Sequence, residues 1–163
     1  MAEGEFVRRL GEPGYGRNNA RGELLDLLAC AGLLVHEGLV LTRRAHEEFL
    51  RTSGALRDIL AVAKRGEDAR QRAEVIRSRH VSYPVEGVLN RAICEALIEL
   101  NARAVIVLSA YFSKGDLRSI PEVKDAVRDA WLSLRGLERQ VDAAAQGEVP
   151  PTWPLLIYPQ AKI

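Results

Sequence analysis

Chemistry in this chain would have to come from few residue types. There are three histidines, His36, His46 and His80, and none stands at metal-ligand spacing with another histidine, a cysteine or a carboxylate. His36-Glu37 and His46-Glu47 are adjacent pairs, and neighbours one apart on a helix do not face the same ligand. There is no Glu-x-x-His, the motif with which helical bundles hold a pair of iron ions. Cys30 and Cys94 lie inside apolar helical patterns, far apart in sequence, and read as reduced, buried small hydrophobes. No nucleophile elbow, no Cys-His arrangement and no glycine loop leading into Lys-Ser or Lys-Thr is present. Gly11-Glu12-Pro13-Gly14-Tyr15-Gly16 is glycine-rich but follows no strand pattern, so it reads as a turn and not a phosphate cradle. These residues make no positive case for catalysis, and neither a metal nor a cofactor is expected.

Charged groups are the other source of function. Arg91, Glu95, Glu99 and Arg103 form a ridge at steps of four along one helical face. Two carboxylates four apart can bind a metal or move a proton. The bracketing arginines, however, offer each an ion-pair partner worth about 0.3–0.5 kcal/mol, so the ridge reads as a solvated or subunit-facing charge row. The chain as a whole is near balance, with 23 Lys+Arg against 22 Asp+Glu, and no net field draws it to nucleic acid or membrane. Its basic side is almost all arginine, whose planar fork suits carboxylates and phosphates. Basic residues concentrate over 57–82, where Arg57, Lys64, Arg65, Arg70, Arg72, Arg77 and Arg79 outnumber Asp58, Glu67, Asp68 and Glu74.

The elements that would position these groups read as helices. Residues 85–112, VEGVLNRAICEALIELNARAVIVLSAYF, form the longest apolar-periodic run. In it Leu89, Ile93, Leu97, Leu100, Ala104, Val107 and Tyr111 step by three or four, which predicts one long central helix. The capping box Ser119-Ile120-Pro121-Glu122 opens a second long helix over 119–146. There Val123, Val127, Ala130, Leu134, Leu137, Val141 and Ala144 make a narrow coiled-coil-like seam. The short connection 113–118 sets the two helices antiparallel. Thr42 is the N-cap of another helix, which Ser53-Gly54 kinks or divides. Between 33 and 42 two short apolar runs flank His36-Glu37-Gly38, the pattern of a small hairpin, with a continued helix as the competing reading.

The tail, PPTWPLLIYPQAKI, has four prolines and is expected to be extended. Its apolar residues do not suit a free tail. They are expected to pack back on the bundle or onto a partner, with Trp153, Leu155, Ile157 and Tyr158 as the partner-binding set. The expected fold is therefore mainly α, a helical bundle of four to five helices with a small two-stranded β wing near residues 33–42. Its parts are an N-terminal unit over 1–54, a bundle and dimerisation region over 55–147, and an extended apolar tail over 148–163. With 163 residues, 47% of them hydrophobic, the chain can bury a core without disulfides or metal. The start, MAEGEFVRRL, lacks the apolar stretch of a secretory signal, and AVIVLSAYF is about half the length that crosses a bilayer. A cytoplasmic homo-oligomer, dimeric through the seam and tail, is expected, with no membrane partner.

Residues 17–50, RNNARGELLDLLACAGLLVHEGLVLTRRAHEEFL, resemble the second half of a winged helix-turn-helix domain. Leu28-Ala29-Cys30-Ala31-Gly32-Leu33-Leu34 matches the turn that ends the recognition helix in that family. Residues 35–41 match the wing, and Leu41-Thr42-Arg43-Arg44-Ala45 matches the entry to the next helix. The resemblance implies a recognition helix opened by Arg17, Asn18, Asn19 and Arg21, with Arg43 and Arg44 holding phosphates beside the wing. Arginine and asparagine are the side chains that make forked contacts to guanine and adenine edges. A non-enzymatic DNA-binding or regulatory dimer acting on duplex DNA follows as the leading expectation. The alternative is a helical structural subunit of a larger protein or nucleoprotein assembly. The arginine-rich helical outline is also similar to the HEPN ribonucleases, whose signature is an arginine and a histidine four to six residues apart. No histidine here has that spacing, so this third expectation is a relic of that family, tested at His80.

Overall fold

Residues Leu155–Pro159 form a β-strand with a hydrogen-bonded neighbour on each side, and the architecture follows from that placement. The computed structural model describes residues 6–9, 38–63 and 68–160. In chain order the elements are β1 (Val7–Arg9), β2 (Leu39–Leu41), α1 (Arg43–Ser53), α2 (Ala55–Ala63), α3 (Ala69–His80), α4 (Gly87–Leu100), β3 (Val105–Ser109), β4 (Phe112–Leu117), α5 (Ile120–Trp131), α6 (Leu134–Ala145) and β5 (Leu155–Pro159). The strands make one five-stranded antiparallel sheet in the order β1-β2-β5-β3-β4. Leu39, Val40 and Leu41 face Ile157, Leu156 and Leu155, while Val105 to Leu108 face Pro159 to Leu156 on the other side.

This overturns the expectation of a mainly α bundle of four to five helices with a two-stranded wing. The fold is α/β, and each of the three expected segments contributes strands to the one sheet. β2 is an interior strand paired to β1 and β5, not one arm of an outlying wing. The rest of the expected hairpin, residues 33–37, lies outside the described residues.

The expected central helix over 85–112 stops at Leu100. Asn101 takes the left-handed conformation, φ 50°, and its N–H donates to the Leu97 carbonyl, a helix-ending arrangement open to asparagine as well as glycine. Beyond it Val105, Ile106 and Val107 are β-branched, a composition that favours strands. Steps of three and four continue across Ala104, Val107 and Tyr111, but so short an apolar run carries no decisive period. The expected loop over 113–118 is largely β4, which returns on β3 as a hairpin.

The expected long helix over 119–146 is two helices, α5 and α6, divided at Leu132 and Ser133. Ser119 caps the first by accepting from Glu122 N at 3.3 Å, and Ser133 caps the second by accepting from Gly136 N at 3.3 Å. The apolar seam is not an outward coiled-coil face. Val123, Val127, Ala130, Leu137 and Val141 are buried in the chain's own core.

Leu39, Leu41, Val105, Val107, Leu117, Leu155 and Ile157 share one core with Phe49, Ile59, Ile93 and Trp131 of the helices. Val40 and Leu156 alternate to the opposite face and are buried there too, at 2% and 1% exposure. A strand buried on both faces needs an unbroken apolar run, and Leu155-Leu156-Ile157 supplies it. Among the described residues no helix is long and apolar enough to cross a membrane.

Ile157 is fully buried in a central strand, so Ile157→Ala is expected to lower unfolding free energy by about 3 kcal/mol in urea titration. Val149→Ala, at a position 88% exposed, is the matching control and should cost less than about 0.5 kcal/mol.

Candidate functional site

The residues expected to act from sequence are scattered. Arg17, Asn18, Asn19 and Arg21 lie outside the described residues. Arg43 and Arg44 open α1 on the surface. Of the expected partner-binding set, Leu155 and Ile157 are fully buried in β5, because the strand is interior to the sheet and helices cover the face they point to. Trp153 and Tyr158 are half-buried, and Trp153 is in ring contact with His46 and Tyr111. These four do not form a free surface. On α4, Arg91 and Glu95 are exposed, and Glu99 pairs with Arg9 of β1. Cys94 is a half-buried free thiol that donates to Asn90 Oδ1 at 3.6 Å. Among the described residues no group of three or more His, Cys, Asp or Glu comes together as a metal site would require.

His46 has become a core residue. Its ring stacks on Trp131 with centroids 5.7 Å apart and meets Trp153 edge-on at 5.1 Å. The Trp153 backbone N–H donates to His46 Nδ1 at 3.2 Å, so a neutral ring carries its proton on Nε2. Gln140 Nε2, 3.5 Å from that nitrogen, is then a second donor facing it, and its hydrogen bond goes to the Pro151 carbonyl at 2.9 Å instead. The approach of Trp153 depends on Gly136, where a Cβ would lie 2.6 Å from Trp153 Cζ2. Among the described residues the buried polar side-chain atoms without a partner are Trp131 Nε1, Gln140 Oε1 and Trp153 Nε1, all on residues around His46. Burial pushes the His46 pKa down to about 3, against smaller raising effects of hydrogen bonding to the Trp153 and Trp131 backbone.

A second buried pair joins α2 to α3. His80 Nε2 lies 2.6 Å from Asp58 Oδ2, and Arg79 Nη1 lies 3.2 Å from the same oxygen. Burial is the largest single influence on Asp58 and favours the neutral acid. The hydrogen bonds and charges of His80 and Arg79 together outweigh it and hold the carboxyl below its usual range. Tyr83 extends the link by donating to the Thr52 carbonyl at 2.9 Å. His80 is only 6% exposed, and this geometry ties helices together more readily than it admits a substrate.

The open site lies between α3 and α6. Asp68 caps α3 by accepting from Arg70 N at 2.8 Å, which sets Arg70 on the first turn. Arg135 and Arg139 lie four apart on α6 and share a face with Glu138 and Asp142. Arg70, Arg135, Arg139, Glu138, Asp142 and Leu134 line a cleft of about 580 Å³. Three guanidinium groups meet two carboxylates in the lining, with Glu74 3.9 Å from Arg70 as a third acidic neighbour, and the forked donors suit phosphate or carboxylate oxygens. The lining holds no histidine, cysteine, serine or threonine, and what it offers a ligand is forked hydrogen-bond donors.

Sequence reasoning passed over Arg135 and Arg139. Their i, i+4 spacing was visible, but their meeting with Arg70 depends on the packing of α3 against α6. No protein-family model matches the chain, and no curated protein is detectably similar to it.

His46 sets an acid limit on the fold. Unfolded it takes a proton near pH 6.5, and folded only near 3, so the unfolded state binds more protons between those values. Stability is therefore fully present above about pH 6.5 and falls as pH drops, on the order of 1 kcal/mol per pH unit. Asp58 adds a loss in the same direction, beginning only as pH falls below its unfolded value of 3.8. His46→Asn retains an acceptor for the Trp153 N–H without titrating. Urea midpoints are expected to be lower than wild type at pH 7 for this variant, yet nearly flat down to pH 4.5, where the wild type declines.

Proposed function

We propose that the chain is a non-enzymatic protein that binds the phosphodiester backbone of nucleic acid, duplex DNA foremost, in a regulatory or scaffolding role in the cytoplasm. The observation that carries this reading is the convergence of Arg70, Arg135 and Arg139 on one open cleft. Arg77 adds an exposed guanidinium group along α3, whereas that of Arg79 is engaged by Asp58. Glu138 and Asp142 in the same cleft cap its affinity, so binding is expected to be modest and strongly dependent on salt. The expected helix start at 17–21 and the exposed Arg43 and Arg44 belong to the same reading as a second contact surface. The HEPN-like alternative has less support, because His80 is turned into the fold and held by Asp58.

The test is fluorescence anisotropy of a labelled random-sequence duplex at about 20 mM and about 150 mM salt. Wild-type binding should weaken steeply between the two. Arg135→Ala/Arg139→Ala should lose about tenfold in affinity at the lower salt and show a shallower salt slope. Arg17→Ala/Arg21→Ala in parallel reports on the second surface. No binding at low salt overturns the proposal, and undiminished binding by the α6 double variant removes the cleft from it.

A further inference from the structure

Helix α4 buries Leu89, Ala92, Ile93 and Leu97 and turns a different stripe outward. That stripe is Val88, Arg91, Glu95 and Ile98, at steps of three, four and three. All four are exposed, and Val88 at 47% and Ile98 at 66% are among the large hydrophobics most open to solvent in the described residues. Arg91 and Glu95 stand four apart on one helix, yet among the described residues neither has an ion-pair partner. The order along the helix explains this in part, since a basic residue placed before an acidic one is the weaker orientation for such a pair.

The spacing of this stripe reads the same from either end, and its chemistry runs apolar, positive, negative, apolar. A second copy laid antiparallel about a two-fold axis midway between Arg91 and Glu95 sets Arg91 against the second copy's Glu95 and Glu95 against its Arg91. On each flank a Val88 then meets an Ile98. Helices pack with axes about 8–10 Å apart, a distance the arginine and glutamate side chains span. A parallel pairing would instead set arginine on arginine and glutamate on glutamate. A nucleic-acid surface would not centre on Glu95, and a membrane surface would want a wider apolar stripe.

We propose that the outward face of α4 is a homodimer interface, antiparallel and isologous. It is distinct from the 119–146 seam and the tail, which the chain buries in its own core, and it does not rest on the nucleic-acid reading. The 14-residue helix offers less than the roughly 1,600 Å² of a standard interface, so association belongs on the order of 10 µM.

The experiment is sedimentation velocity of the full chain from about 2 to about 200 µM, a range that brackets such an affinity. It is run under reducing conditions because Cys94 lies beside the stripe. The wild type is expected to pass from monomer to dimer. Arg91→Glu leaves two carboxylates on each stripe, and Glu95→Arg leaves two arginines. Each single variant is expected to dimerise at least about tenfold more weakly, as like charges replace both cross-dimer pairs. An equimolar mixture of the two should associate as a heterodimer, and the double swap Arg91→Glu/Glu95→Arg should recover wild-type dimerisation. Both positions are exposed, and circular dichroism melts verify that each variant is folded. A wild type that stays monomeric throughout overturns the proposal. So do single variants that dimerise like the wild type, or a mixture that fails to associate.

Discussion

The pairing of β5 between β2 and β3 is the constraint on which the rest of the structure depends. Taken away, it would leave two separate two-stranded pieces, β1 with β2 and β3 with β4, each with an unpaired edge. With it in place, residues 39–41 and 105–108 join one sheet although more than sixty positions lie between them. The same strand draws the preceding segment over α6, so that Pro151 reaches Gln140 and Trp153 reaches His46. Just past the strand, Gln160 bonds the Ala104 carbonyl through its N–H and the Asp116 N–H through its side chain, at the place where the β3–β4 register shifts between the pairs Val105–Leu117 and Val107–Lys114. A residue's fate in this fold is set largely by its distance from that strand.

The helices divide the remaining work. α1, α4 and α5 meet the sheet, whereas α2, α3 and α6 pack chiefly on one another. The second group holds both the buried Asp58–His80 link and the arginine cleft. A carboxylate between an imidazole and a guanidinium fixes the direction of α3 relative to α2 better than apolar contact alone, because forked and ring donors require definite geometry. That direction decides where Arg70 stands relative to Arg135 and Arg139. The cleft is thus a surface property with a buried cause.

Local signals in the sequence were legible where their cause was local. Thr42, Ser119 and the break at Ser53-Gly54 act through hydrogen bonds a few residues away, and the structure has the same caps and the same break. Strand evidence is less local. Leu39-Val40-Leu41 read as strand, though as a wing arm and not as an interior strand, and Leu155-Leu156-Ile157 is a short apolar run without alternation, which looks like strand only once both faces are known to be covered. At 105–117 the chain offered β-branched residues that an apparent helical period concealed, and an asparagine in place of the expected glycine marked the stop. The arginine cleft was legible as residues and illegible as a site, since no spacing in the chain reports that α3 lies on α6.

The surroundings of His46 have a spectroscopic consequence. The chain contains two tryptophans, and both are in ring contact with this one histidine. Its intrinsic indole emission therefore comes from a single locus, where α1, α5 and the approach to β5 meet. A tryptophan-detected signal follows the seating of that approach and is nearly blind to the arginine cleft and to α4. An imidazole that gains charge beside two indoles also quenches them, so the light reports the protonation of the group whose neutrality the core requires.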